Sequence, residues 1–196
     1  MNTYNCCMMK MRILPHQIRR ITQDRYSELH RQFLNVDVRP LQIEPIHRGV
    51  YYVDARHPMG KQLIAENTPA KCIYRTGEIY CLYDERIPLT EARLVHEFVH
   101  RAARRRILFV WSSGLDMTHH RTMLNEVLTE YLTMCILGDR YEAQTSPHNQ
   151  YRPKLSAIAA IEEKTGRIPL VKAYLAGDIR FFQKHKTTLR GILTDS

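Results

Sequence analysis

The hydrophobic period of this chain turns from strand-like to helical at Pro88, and that switch constrains the fold more than any other feature. Before it, β-branched and aromatic runs bounded by turn residues read as strands: Val50-Tyr51-Tyr52-Val53, Cys72-Ile73-Tyr74 and Ile79-Tyr80-Cys81-Leu82-Tyr83. After it, apolar residues recur at helical spacing. A helix is expected from Glu91, capped by Thr90, to about Arg105, and another from about Thr118 to Leu137, closed by Gly138. Further helices are expected from about Pro153 to Thr165, over Leu170–Ala176, and from Ile179 to about Leu193. Strands followed by helices predict an α+β fold with a small antiparallel sheet.

The 196 residues contain neither an internal repeat nor a long polar linker, so they read as one domain, 1–196. Within it, about 1–35 is an N-terminal helical segment with Ile18, Ile21, Leu29 and Phe33 as core contacts. Residues 36–88 carry the sheet, 89–138 two long helices and 150–196 the C-terminal helices. The stretch from Cys72 to Tyr83 reads as a hairpin turning at Thr76-Gly77, which sets Cys72 opposite Cys81 at a non-hydrogen-bonded position. Both read as small buried hydrophobes, with a pairing of the two left open. Five cysteines without a CxxC make neither a disulfide framework nor a cysteine-ligated zinc site.

On the first long helix stands His96-Glu97-Phe98-Val99-His100, an HExxH sequence. Residues four apart share a helix face, so both imidazoles reach one metal ion, and Glu97 approaches a metal-bound water without ligating. Ten His among 196 residues make a chance match roughly 0.03 per chain. The setting adds weight: Leu94, Val95, Phe98, Val99 and Ala102 make the helix apolar enough to bury, and buried imidazoles and carboxylates are costly unless paired or ligated. A catalytic zinc needs a third protein ligand and an open position. Ala103 and Arg106 exclude the HExxHxxGxxH arrangement. On the next helix, Glu126 and Glu130 also share a face; one ligates while the other accepts the outer N–H of a ligand histidine.

HExxH followed by Asn125-Glu126-Val127-Leu128-Thr129-Glu130 resembles the gluzincin metallopeptidases, of which thermolysin is a member, over about Ile79 to Leu137. The short chain looks like the small single-domain gluzincins of bacterial and phage proteins and toxin-like effectors. The resemblance implies a minimal zincin-like domain that binds Zn2+. His96, His100 and Glu126 are then metal ligands, Glu97 is the catalytic base, and Glu130 is hydrogen-bonded to the first histidine. The family's oxyanion-stabilising Tyr or His has no motif here. His119 and His120 are the candidates, with third ligand and solvated helix start as their other readings.

The expected activity is zinc-dependent hydrolysis of peptide bonds in a protein or peptide substrate lying extended along the strand near Ile79–Tyr83. Two other readings stand beside it. One is a DNA-associated or regulatory protease acting on a repressor or DNA-bound protein, drawing on the +9 charge; the other is a non-catalytic zinc-binding interaction module. Arg101, Arg104, Arg105 and Arg106 read as a solvated helix end, and Tyr51, Tyr52, Tyr74, Tyr80 and Tyr83 as core and sheet residues, not a stacking surface. No apolar run reaches the length of a membrane span and no secretory signal is evident. A reducing cytoplasmic setting, or export without a cleaved signal as an effector, is expected. Oligomeric state is open.

Overall fold

A computed structural model describes residues 49–84, 86–87, 89–110, 118–143 and 151–193; for 104–110, 118–122, 142–143, 152, 179, 191 and 193 it describes the backbone alone. The expected N-terminal helical segment, Cys6 and Cys7 lie outside these residues, as do the side chains of Arg104, Arg105 and Arg106.

Strand β1 (Val50–Val53) leads into helix α1 (Pro58–Ala65), then β2 (Ala70–Ile73) and β3 (Glu78–Leu82) form a hairpin. Pro58 opens α1, where its fixed φ suits the first turn, and the His57 ring accepts the Met59 N–H at 3.1 Å. Gly60 is required there: a Cβ would lie 1.9 Å from the Asp54 carbonyl oxygen. Leu63 then packs with Val53 and Leu82 in a small core of their own.

Because α1 carries the chain back across the sheet, β1 runs parallel to β3, with Val50 beside Ile79 and Val53 beside Leu82. The sheet is therefore mixed, in the order β1-β3-β2, and not the antiparallel sheet expected. β3 is its central strand, paired on both sides, so no extended substrate can add along Ile79–Tyr83 as expected. Among the described residues, the sheet edge next to the long helices belongs to β2.

The hairpin turns through Tyr74–Gly77, a four-residue loop with Gly77 at φ +74°, instead of the two residues Thr76-Gly77. The register moves by two, so Cys72 faces Ile79 and Cys81 faces Ala70, correcting the facing cysteines. A two-residue slip preserves the face, and both cysteines remain buried, as free thiols. Of the tyrosines, Tyr52, Tyr74 and Tyr80 are half-buried, while Tyr51 and Tyr83 are exposed. Tyr51 stacks on Tyr80 at 5.2 Å.

Helix α2 (Glu91–Val110) follows, with Thr90 Oγ1 accepting the Arg93 N–H at 3.2 Å as its cap. From Ala92 to His100 every residue is buried, because the helix lies between the sheet and the helices after it. Helix α3 (Thr118–Leu137) packs along α2 and ends at Gly138, φ +55°, which satisfies the left-handed closing position. Short α4 (Asp139–Ala143), then α5 (Arg152–Thr165), α6 (Arg167–Ala176), α7 (Ile179–Lys184) and α8 (Arg190–Leu193) complete an α+β domain. The single terminal helix expected from Ile179 is thus two pieces. Leu94, Val95, Val99, Val127, Leu128, Leu132, Leu170 and Leu175 form the centre of the main core. Burying each such side chain stabilises by about 1.5–3 kcal/mol, which fixes the relative height of α2, α3 and α6. Among the described residues no helix is long and apolar enough to cross a membrane.

Candidate metal centre

Helical spacing places His96 and His100 one turn apart on the face of α2 that meets α3, and Glu126 enters from α3 opposite them. Three atoms converge. His96 Nε2 lies 2.9 Å from His100 Nε2, and Glu126 Oε2 lies 3.2 and 3.3 Å from the two nitrogens. Donors bound to zinc at about 2.0–2.1 Å in a tetrahedron stand about 3.3 Å apart, so two edges of this triangle match and the third is slightly contracted.

The hydrogen bonds behind the rings say what these atoms carry. His96 Nδ1 lies 2.8 Å from Glu130 Oε2, a carboxylate that accepts, so Nδ1 holds a proton and Nε2 is the atom that faces the triangle, free to ligate once its own proton is lost. Tyr141 donates to the other Glu130 oxygen in a short contact. Behind His100, Nδ1 lies 3.0 Å from Tyr74 Oη and 3.1 Å from Thr129 Oγ1. Thr129 spends its hydrogen on the Asn125 carbonyl at 2.8 Å, and Tyr74 donates to Glu126 Oε1 at 3.4 Å while accepting from Asn125 Nδ2 at 2.8 Å. Both oxygens can then accept from His100 Nδ1, 3.0 and 3.1 Å away and nearer than the Asn125 Nδ2 donor at 3.4 Å, and this network assigns the outer proton to Nδ1 and turns Nε2 to the triangle. Two imidazole nitrogens and a carboxylate oxygen about 3 Å apart need a proton or a metal cation between them, and the proton is what a metal would displace. That donor set fits zinc.

Burial opposes charge on His96, but its hydrogen bonds with Glu126 and Glu130 and the nearby charge of Glu97 outweigh this and raise it to about 9. Burial also works against the Glu126 carboxylate, and the two histidines overcome it, holding Glu126 well below the ordinary carboxylate range. The Tyr74 phenol is pushed above its usual range by burial, then by the charge of Glu126, so it stays protonated and available as a donor.

A cleft of about 230 Å³ opens on this centre, with Glu97, His100, Glu126, Tyr74, Cys72 and Tyr151 in its walls. Glu97 does not join the triangle. Its Oε2 accepts the Cys72 N–H at 2.6 Å, its Oε1 lies 2.9 Å from Arg93 Nη2, and only 2% of the residue is exposed.

The structure brings His96, Glu97, His100, Glu126 and Glu130 together as their spacing predicts. His119 and His120 fall in the first turn of α3, where their side chains lie outside the described residues. Sequence reasoning missed Arg93, Asn125, Thr129, Tyr141 and Tyr174, and took Tyr74 for a sheet residue. Tyr174, buried on α6, shares a 2.7 Å hydrogen bond with Thr129. The basic excess does not collect here: the cleft's Lys71 pairs with Glu66 at 2.7 Å and its Arg93 with Glu97. No family model matches this sequence, and no curated protein or solved structure does.

Proposed function

We propose that the chain is a zinc-dependent metallopeptidase, with His96, His100 and Glu126 holding the metal and Glu97 as general base. The observation that carries this reading is the convergence of three lone-pair donors on a cleft that also contains a carboxylate outside the triangle. A zinc ion held there would supply Lewis acidity, polarising a scissile carbonyl and acidifying water at an open position.

The chain's own residues account for the rest. Glu130 fixes the tautomer of His96, while Tyr74 and Thr129 fix that of His100, so neither ring must reorganise to ligate. Glu97 Oε2 accepts a backbone amide and Oε1 lies 2.9 Å from Arg93 Nη2, so the carboxylate is held in the cleft wall as the group to take a proton from water and pass it to the leaving amine. The charges of Lys71 and Arg93 are matched within the cleft, which favours hydrolysis of a peptide over recognition of a nucleic acid backbone there.

Zinc analysis and proteomic cleavage profiling of wild type, Glu97→Ala and Glu126→Ala test the proposal. Wild type is expected to hold one zinc and cleave; Glu97→Ala to keep zinc and lose cleavage; Glu126→Ala to lose most of its zinc. Wild type that cannot be loaded with zinc overturns the reading. Wild type that loads but cleaves nothing leaves a zinc-binding module in its place.

A further inference from the structure

We infer that Arg93 is a positioning residue that holds the Glu97 carboxylate at the cleft wall. The purpose of that hold rests on the metallopeptidase reading, but the contacts do not. Arg93 precedes Glu97 by one helical turn and is 8% exposed. Its Nε and Nη2 donate to the Ala70 carbonyl at 3.2 and 2.8 Å, and Nη2 also lies 2.9 Å from Glu97 Oε1.

The strand supplies the other half. In β2 the alternate residues Ala70 and Cys72 turn their backbone groups away from β3, as the Leu82 N–H to Pro69 carbonyl bond requires. Ala70 thus presents a carbonyl, and Cys72 an N–H, along the edge that faces α2. The Arg93–Glu97 pair bridges these two groups, donor to carbonyl and acceptor to amide, as a neighbouring strand would. Thr68 Oγ1 adds a bond to the same carbonyl at 3.1 Å, so the guanidinium is anchored to a fixed point.

The geometry explains what an unheld Glu97 would do. A glutamate adjacent to a ligand histidine has three rotatable bonds and an electron-rich oxygen for which the metal triangle competes. With Oε2 on the Cys72 amide and Oε1 2.9 Å from Nη2, the carboxylate stays out of the triangle. The arrangement is a poor stabiliser in itself, since Arg93 Nη1 is buried without a hydrogen bond among the described residues. Lysine would keep the charge but not the planar fork that reaches carbonyl and carboxylate together.

The test uses the full chain and two variants, Arg93→Lys and Arg93→Gln, with Glu97→Gln as reference. The first readout needs neither metal nor activity: the Cys72 backbone amide proton in the NMR spectrum of the metal-free protein, whose bond to a carboxylate at 2.6 Å places it downfield. It should move upfield in Glu97→Gln and in both Arg93 variants. The second is turnover of zinc-loaded protein on fluorescent casein, where the Arg93 variants should lose about tenfold or more in kcat, with KM within about twofold and zinc content unchanged. A Cys72 amide that keeps its wild-type position in the folded Arg93 variants overturns the inference, and so does an unchanged kcat. If the wild type cleaves nothing, the metallopeptidase reading falls, and the amide position alone decides whether Arg93 places Glu97.

Discussion

At His96 the outer ring nitrogen meets a carboxylate, and at His100 it meets neutral hydroxyls. A carboxylate partner makes an imidazole the stronger donor to a metal, so the two histidines would be unequal ligands of the proposed zinc. Glu130→Gln should weaken zinc binding by about 10–100-fold in competition with a chromophoric chelator. Tyr74→Phe should weaken it less than Glu130→Gln, because Thr129 Oγ1 remains to accept the His100 proton. An order of effects opposite to this one refutes the tautomers assigned above. The convergence of His96, His100, Glu126 and Glu130 was legible because each pair stands four residues apart on one helix, where spacing dictates the shared face. Asn125 and Thr129 carried a fainter local signal, a polar stripe at 125, 126, 129, 130 and 133 where a helix in a core would place apolar residues; all but Glu126 are buried. Tyr74, Tyr141 and Tyr174 carried none, since each reaches the centre from another element and no local period encodes that.

Among the elements, the long helices were readable and the sheet topology was not. The bounds of α3 agree with the expected ones because its apolar spacing and the closing Gly138 are local signals. The pairing of β1 with β3 depends on α1, which lies between the regions that read as strands and whose eight residues are too short a window to show a helical period. Its best local mark was His57-Pro58, a capping side chain followed by a proline at the first helical position. The docking of α1 yields a test that separates steric from conformational cost. Gly60→Ala sets a methyl group against the Asp54 carbonyl, where backbone must move, and should cost about 3 kcal/mol or more in urea unfolding. Gly138→Ala has open space around its Cβ but a φ of +55°, so only the left-handed backbone penalty of about 1–2 kcal/mol applies. Equal costs at the two positions would contradict the close approach of α1 to the Asp54 turn.

For the molecule as a whole, the centre couples folding to pH and to metal in opposite directions. A histidine in an unfolded chain titrates near 6.5, whereas folded His96 titrates near 9. The folded state therefore binds a proton more tightly than the unfolded one. The stability this confers is fully present below about pH 6.5 and is lost as pH rises through about 9. Metal-free protein should accordingly lose stability, on the order of a few kcal/mol, between those values. Glu126 has the reverse sign: its depressed titration confers stability above the ordinary carboxylate range that is lost as pH falls below it. Zinc competes for the same lone pair as the His96 proton, so binding must release that proton, and apparent zinc affinity should rise about tenfold per pH unit until pH reaches about 9. Thermal unfolding with and without zinc, across pH 6 to 9, measures both trends. The melting temperature of the chelator-treated protein should fall with pH, while the increment added by zinc should grow. In His96→Ala the metal-free slope should flatten and the zinc increment should vanish. A zinc increment independent of pH would mean that no proton leaves the triangle when the metal enters, and the raised titration of His96 would then be wrong.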